Sequence, residues 1–335
     1  MYRTWCTNIC RSRPMLAFAL ALGLATAGPG TQAISVGDPS VFGVFAGSSP
    51  CGAPIRQLLG IPPDAAADLM QWRLTLYQDA ATRAPSRYEL RYAYGSTAPG
   101  RPGIASNVRT EARQGQWTAG TGTRSNPDAV VYELGGGLSL YAVDAGVLHV
   151  LNPDRSLMIG NGGWSFTLNR MPQPEATAGW MWLTPVTWVR WLFRPEMSYP
   201  IGPLASGPSV YGVFEGRSPC QAIARELQLP VDPDCAKVKW RVTLYQDPAT
   251  RAPTTYKVEG SLYRSGARAG SWTVAQGSRA GAGNVVYQLA STPAEPALLL
   301  AKGDDNVLFL LDRNLDPLIG RDDFSYTLNR RSGAM

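Results

Sequence analysis

The sequence predicts an all-β protein made of two tandem small antiparallel β-barrels, each with one short helix. Three observations lead to this fold class: an internal repeat, apolar residues at every second position, and a high content of turn-forming residues. The chain has 35 glycines and 27 prolines among its 335 residues, which is typical of short strands joined by turns. Its length fits two domains.

The first 27 residues have the pattern of a cleaved signal peptide. Three arginines precede an apolar run over residues 16–24, and Ala25-Thr26-Ala27 has the small-x-small form that signal peptidases cleave. The apolar run is shorter than the roughly 20 residues that span a bilayer, so an uncleaved anchor is the less favoured alternative. The pattern predicts a periplasmic or secreted protein.

Removal of this segment changes the charge balance of the chain. It holds three of the 31 basic residues and none of the 25 acidic ones, which leaves 28 basic against 25 acidic residues. The remaining charges are dispersed rather than clustered, so the sequence gives no support for a nucleic-acid partner.

The internal repeat is the strongest signal in the sequence. Matching segments occur in the same order in both halves, which indicates a duplication and predicts a first module over residues 36–170 and a second over residues 205–331. A proline-rich linker over residues 171–204 joins them. The matched pairs are residues 41–45 with 210–214, 72–79 with 240–247, 81–85 with 249–253, 115–118 with 270–273, and 165–170 with 325–330.

Within each module the apolar residues alternate with polar ones. Trp72, Leu74 and Leu76 are separated by polar or amphipathic residues, as on a half-buried strand. Seven or eight such segments are present per module, and closure into a small barrel would bury one face of the sheet and remove its edges. A two-sheet sandwich is the alternative.

One short helix interrupts the strands of each module. In the second copy Ser218 is the expected N-cap, Pro219 the first helical residue and Gln221 the partner in a capping box. In the first copy Ser49 and Pro50 predict the same helix start, with Cys51 at its second position.

The second module contains a series of short motifs in a fixed order: Tyr211-Gly212, Pro219-Cys220, Cys235, Thr243 to Asp247, Tyr256, Gly270-Ser271-Trp272 and Leu311-Asp312. The order of these motifs resembles the N-terminal domain of NlpE-type copper-homeostasis lipoproteins. This resemblance implies a lipocalin-like barrel at the cell envelope and a role in copper tolerance or envelope-stress signalling. Two features differ: that family has a Cys-x-x-Cys pair and a lipid-modified cysteine, whereas here fourteen residues separate Cys220 from Cys235 and no lipobox is present.

Three cysteines remain after signal cleavage, and export would place them in an oxidising compartment. We predict a disulfide between Cys220 and Cys235, with a metal pair or free thiols as alternatives. The bridge would close a loop of about fifteen residues, for which the chain-entropy model gives roughly 3 kcal/mol. Cys51 is then a candidate free thiol, either redox-sensitive at a helix N-terminus or a small buried residue.

Catalytic and metal-binding patterns are missing from the sequence, and we predict a non-enzymatic protein without a cofactor or bound metal. His149 is the only histidine, and it aligns with Phe309 of the second copy, so a packed ring is favoured over a catalytic base. Asp304-Asp305 and Asp322-Asp323 fall between predicted strands, where aspartate commonly stabilises turns.

The linker contains four of the ten tryptophans, Trp180, Trp182, Trp188 and Trp191. Such enrichment fits packing between the two modules, which we favour, or contact with a membrane surface.

These observations predict an exported envelope protein that binds or senses a partner in envelope stress or copper homeostasis. The alternatives are a carrier that holds a small apolar ligand inside a barrel, and a structural module that contacts envelope proteins.

Overall fold

A computed structural model describes residues 40–99, 103–172, 202–230, 233, 235–262, 267–277, 285–292 and 294–331. The predicted signal peptide and the four linker tryptophans lie outside these residues.

The first module is a closed barrel of eight antiparallel strands, each paired with its neighbours in sequence. β8 returns to β1 through Asn169 opposite Ala46 and Arg170 opposite Phe45. The prediction of a barrel rather than a sandwich is therefore confirmed. The strands are β1 (Val41–Pro50), β2 (Leu69–Gln78), β3 (Pro85–Ser96), β4 (Ser106–Thr121), β5 (Val130–Leu134), β6 (Leu138–Ala142), β7 (Val147–Val150) and β8 (Thr167–Arg170).

The second module repeats this barrel. Its last strand closes onto its first through Asn329 opposite Glu215 and Arg330 opposite Phe214. The strands are β9 (Val210–Ser218), β10 (Val238–Gln246), β11 (Pro253–Gly260), β12 (Arg268–Gln276), β13 (Val285–Ala290), β14 (Leu298–Lys302), β15 (Val307–Leu311) and β16 (Thr327–Arg330).

Alternation along the strands fills both barrel interiors with side chains. On β2 the side chains of Met70, Trp72, Leu74 and Leu76 are all at most 1% exposed, and the residues between them are half-buried. An eight-stranded barrel has an interior just wide enough for side chains to fill. In each copy a buried tryptophan finds a hydrogen-bond acceptor, because an indole N–H without a partner is costly to bury: Trp72 Nε1 donates to Ser49 Oγ at 2.7 Å, and Trp240 Nε1 to Ser218 Oγ at 2.8 Å.

Each barrel carries one short helix, α1 (Ala53–Leu59) and α2 (Cys220–Glu226), and neither has the length to cross a membrane. The predicted caps are wrong. The N-cap residues are Gly52 and Pro219, and neither helix start has a side-chain cap. The physical reason is that the hydroxyls of Ser49 and Ser218 lie inside the barrels, where they accept the hydrogen bonds from the buried tryptophans.

The two barrels pack side by side through a third apolar cluster. β7 and β15 are buried on both faces, because one face lines its own barrel and the other meets the partner barrel. This cluster joins Val131, Tyr141, Val147 and Leu157 of the first barrel to Val286, Val307, Phe309 and Leu311 of the second.

The polar contacts across this interface are reciprocal. Gly160 N donates to Asn329 Oδ1 and Gly320 N donates to Asn169 Oδ1, both at 2.7 Å. Matching hydroxyls also meet, Ser165 with Ser325 at 2.6 Å and Thr167 with Thr327 at 2.9 Å. Because equivalent residues contact each other, the barrels are related by a pseudo-twofold axis, as in an isologous dimer.

Candidate functional site

The two copies differ most at one end of the barrel. β3 and β4 have 12 and 16 residues, whereas their equivalents β11 and β12 have 8 and 9. The longer hairpin extends beyond its neighbours: β4 pairs with β3 as far as Ser106, but with β5 only over Trp117 to Thr121. Residues 106–116 therefore present one edge that no strand of the described chain pairs with.

An open cleft of about 880 Å³ lies beside this edge, at the mouth of the first barrel. We call it the mouth cleft. One wall is the segment after α1, residues 59–62 and 64–66, and the other is β4, residues 107–109 and 111–113. Tyr92 and Tyr94 also line it, with ring centroids 6.4 Å apart. Ligand sites commonly occur in the mouths of barrels and in clefts of this size.

Charged side chains of β4 project to the same side as these tyrosines. Arg109 is opposite Tyr94, Glu111 is opposite Tyr92, and Arg113 is opposite Leu90, and directly opposed residues share a face of the sheet. Arg109 and Glu111 are exposed and Arg113 is half-buried. The cleft therefore combines aromatic rings with two guanidinium groups and two carboxylates, since Asp64 lies on the opposite wall.

Arg113 is held at the base of the cleft. Its guanidinium donates to Leu58 O at 3.5 Å. Burial raises the pKa of Tyr92, and the positive charge of Arg113 opposes this rise. Tyr92 is therefore a neutral phenol at pH 7, able to donate or accept a hydrogen bond at the cleft floor.

In the second barrel, the arginine equivalent to Arg113 is bound by its own chain. Arg268 occupies the position of Arg113, since it is opposite Val258 as Arg113 is opposite Leu90. Its Nε donates to Ser291 Oγ at 3.1 Å, one terminal nitrogen donates to Pro296 O at 2.6 Å, and Glu295 lies 3.5 Å away as an ion-pair partner. The Arg268 side chain is only 9% exposed.

The turn that supplies these partners differs in length between the two copies. In the first barrel β5 and β6 are joined by three glycines, residues 135–137, whereas seven residues, 291–297, join β13 and β14. The mouth cleft was not predicted from the sequence. Unequal spacing between matched residues was the available signal: Tyr88 and Gly115 are 27 positions apart, but Tyr256 and Gly270 only 14.

The predicted disulfide between Cys220 and Cys235 is confirmed, with Cα atoms 5.9 Å apart. It ties the first residue of α2 to the segment that leads into β10.

Cys51 is a free thiol, as predicted, and it is buried with 3% exposure. Its predicted position inside the helix is wrong, because α1 begins at Ala53. Burial raises the pKa of the Cys51 thiol, so the structure favours the small buried residue over the redox-sensitive thiol.

Arg56 was not predicted from the sequence. It ties α1 to the segment that leads into β2, as the disulfide ties α2 to the segment that leads into β10. Its guanidinium donates to the carbonyl oxygens of Cys51 at 2.7 Å, Pro63 at 2.8 Å and Ala65 at 2.9 Å, and also to that of Ala67. Ala67 and Cys235 both precede their aligned tryptophans, Trp72 and Trp240, by five positions. Arg56 therefore fixes the wall of the mouth cleft.

His149 is the packed ring that the alignment with Phe309 predicted. It is fully buried, edge-on to Phe309 with ring centroids 5.6 Å apart. Nε2 lies 2.9 Å from Met158 O, so this nitrogen carries the proton, and Nδ1 accepts from Thr167 Oγ1 at 2.9 Å. Burial lowers the pKa of His149 to about 4, and both nitrogens are engaged at the barrel interface, so this ring has no access to a substrate.

The paired aspartates lie in turns, as predicted. Asp304 Oδ1 accepts from the backbone N–H of Asn306 and Val307, and Asp323 pairs with Arg321 at 2.9 Å. Among the residues that the structure describes, no three His, Cys, Asp or Glu side chains are grouped as a metal site would require.

Comparison of the chain with family models, with curated proteins and with solved structures finds no match. The resemblance to NlpE-type proteins therefore stays a prediction from the motifs.

Proposed function

We propose that this chain is an exported, non-enzymatic binding protein of a bacterial-type cell envelope, and that it binds its partner in the mouth cleft of the first barrel. One observation carries the proposal. In the first barrel, the extended β4 has an unpaired edge, and this edge borders an open cleft lined with tyrosine and arginine.

Two features support the location. The first 27 residues have the form of a signal peptide, and the Cys220–Cys235 disulfide is of the kind that persists in oxidising compartments. The resemblance to NlpE-type proteins supports a role in envelope homeostasis. We do not extend the proposal to copper ligation by these cysteines, because each sulfur is bonded to the other.

A carrier of an apolar ligand inside a barrel is less well supported. Side chains such as Phe45, Trp72 and Leu140 in the first barrel, and Phe214 and Trp240 in the second, are at most 1% exposed and form continuous cores. The mouth cleft lies outside this core, so a ligand could enter it without displacing a core side chain.

Hydrogen–deuterium exchange of the purified full chain, with and without envelope extract, tests this function. We expect the extract to slow exchange in residues 106–116, whose edge is unpaired, and to leave the equivalent strand β12 unchanged as an internal control. A variant in which residues 135–137 are replaced by the sequence of residues 291–297 should lose this protection, because the grafted segment would bind Arg113 as Glu295 and Pro296 bind Arg268. Equal protection in the grafted variant, or no protection of residues 106–116 in the wild type, would refute the proposal.

A further inference from the structure

The unpaired edge of β4 has the dimensions of a strand-binding site. Residues 106–116 span about 35 Å at the usual rise per residue, which exceeds the length of a seven-residue strand. The mouth cleft lies along this edge and is bounded on its far side by the segment after α1. A free edge beside a cleft is the arrangement to which peptides bind by adding a strand.

The charges along this edge define the sequence that would bind. Arg109, Glu111 and Arg113 occupy alternate positions on the cleft side of β4. Within the described part of the chain, no ion pair engages any of the three. Directly opposed side chains of opposite charge stabilise a strand pair, and like charges destabilise it. A strand with acidic, basic and acidic residues at alternate positions would therefore match this edge.

The second barrel shows how such a partner can be held. There the residue equivalent to Arg113, Arg268, binds a peptide segment of the same chain through a carboxylate, a hydroxyl and a carbonyl oxygen, from Glu295, Ser291 and Pro296.

We propose that the mouth cleft binds an extended acidic peptide of a partner protein, which adds a strand to β4 and places carboxylates against Arg109 and Arg113. This inference rests on the proposed function, since it names the ligand class for the same cleft. Charged side chains on a strand edge also protect it against aggregation, and a purely protective edge would bind no peptide.

Fluorescence anisotropy with two labelled heptapeptides tests the ligand class. The first, Thr-Glu-Val-Lys-Val-Glu-Thr, places its charges opposite Arg109, Glu111 and Arg113 in either strand direction, and the second, Thr-Lys-Val-Glu-Val-Lys-Thr, reverses every charge. We expect the purified full chain to bind the first at least about ten-fold more tightly, because three matched cross-strand pairs become three mismatches. The preference should weaken as salt is added, since these charges are exposed.

Variants assign the binding to the cleft. Arg113→Ala and Arg109→Ala should each weaken binding of the first peptide about five-fold through loss of one charge pair. Arg91→Ala is the matched control, because Arg91 is an exposed arginine on the opposite face of the neighbouring strand β3, and it should change affinity less than about two-fold. Arg109 is exposed, so Arg109→Ala keeps the test valid if Arg113→Ala fails to fold.

Equal affinity for the two peptides, no measurable binding of either, or an equal effect of Arg91→Ala would overturn the acidic-strand inference. If envelope extract still protects residues 106–116 in that case, the cleft binds another class of ligand and the proposed function stands. If neither extract nor peptide slows hydrogen–deuterium exchange in residues 106–116, the proposed function and the acidic-strand inference are both wrong.

Discussion

Substitution of Arg56 tests whether hydrogen bonds replace a disulfide in the first barrel. Three of its bonds, to the carbonyl oxygens of Cys51, Ala65 and Ala67, are partly buried. At a net value of about 1 kcal/mol each, they contribute about 3 kcal/mol. The Cys220–Cys235 bridge, with a sequence separation of 15, has a similar expected value of about 3 kcal/mol.

We therefore expect Arg56→Ala to lower the free energy of unfolding by about 3 kcal/mol. Arg56→Lys is the matched control for charge: a single ammonium group lacks the fork that reaches several carbonyl oxygens at once, so it should recover less than half of this loss. Urea unfolding followed by tryptophan fluorescence measures both, and reductant should destabilise every variant by the same further amount, because the disulfide lies in the other barrel.

A second substitution provides a rescue. Ala67→Cys in the Arg56→Ala background places a thiol at the position aligned with Cys235. This position is close to Cys51, because the backbone N–H of Cys51 donates to Asp68 O at 3.0 Å. Oxidation to a Cys51 bridge should restore about 3 kcal/mol, reversibly with reductant. A loss below about 1 kcal/mol in Arg56→Ala, against the roughly 3 kcal/mol that the hydrogen bonds predict, would refute the reasoning, as would failure of the new pair to oxidise.

Two further predictions concern the barrel interface. Burial lowers the pKa of His149 from 6.5 to about 4, so His149 takes up a proton at a higher pH in the unfolded chain than in the folded one. The contribution of neutral His149 to the free energy of unfolding should therefore be complete above pH 6.5, and the free energy of unfolding should fall by about 3 kcal/mol between pH 6.5 and pH 4. His149→Phe, which copies Phe309, should remove this dependence in urea unfolding at a series of pH values, and an unchanged slope would contradict it. Asn169→Ala and Asn329→Ala each remove the acceptor of a glycine N–H of the other barrel. Each should lower the free energy of unfolding by about 2 kcal/mol. Asn314→Ala is the exposed control, and stability equal to that of this control would count against these contacts.

The barrels, the short helices and the disulfide were predictable because they follow from local patterns. Alternation along β2 fixed which side chains point inward, and the repeat showed that the same solution occurs twice. The interface between the barrels was missed, although its signal is present. Residues 307–311 are a continuous apolar run without alternation, which indicates burial on both faces, and this is where β15 meets the first barrel.

The helix caps and the mouth cleft were missed for a different reason. The hydroxyl of Ser218 could either cap α2 or accept a hydrogen bond from a neighbouring strand. It accepts the indole N–H of Trp240, and only the position of Trp240 in the folded barrel decides this. The mouth cleft likewise depends on how far β4 extends beyond its pairing with β5, which only the strand register of the folded barrel shows.

The pseudo-twofold arrangement also indicates which parts of the molecule are free to differ. The residues that meet across the axis, Thr167 with Thr327 and Ser165 with Ser325, are identical in the two copies, as reciprocal contacts require. The mouth of each barrel takes no part in these contacts. The surroundings of the two equivalent arginines can therefore differ without a change in the interface: Arg268 pairs with Glu295, whereas Arg113 lines an open cleft. The extended hairpin of β3 and β4 occurs in only one of the two copies, so a partner that binds its edge should bind with a stoichiometry of one per chain rather than two.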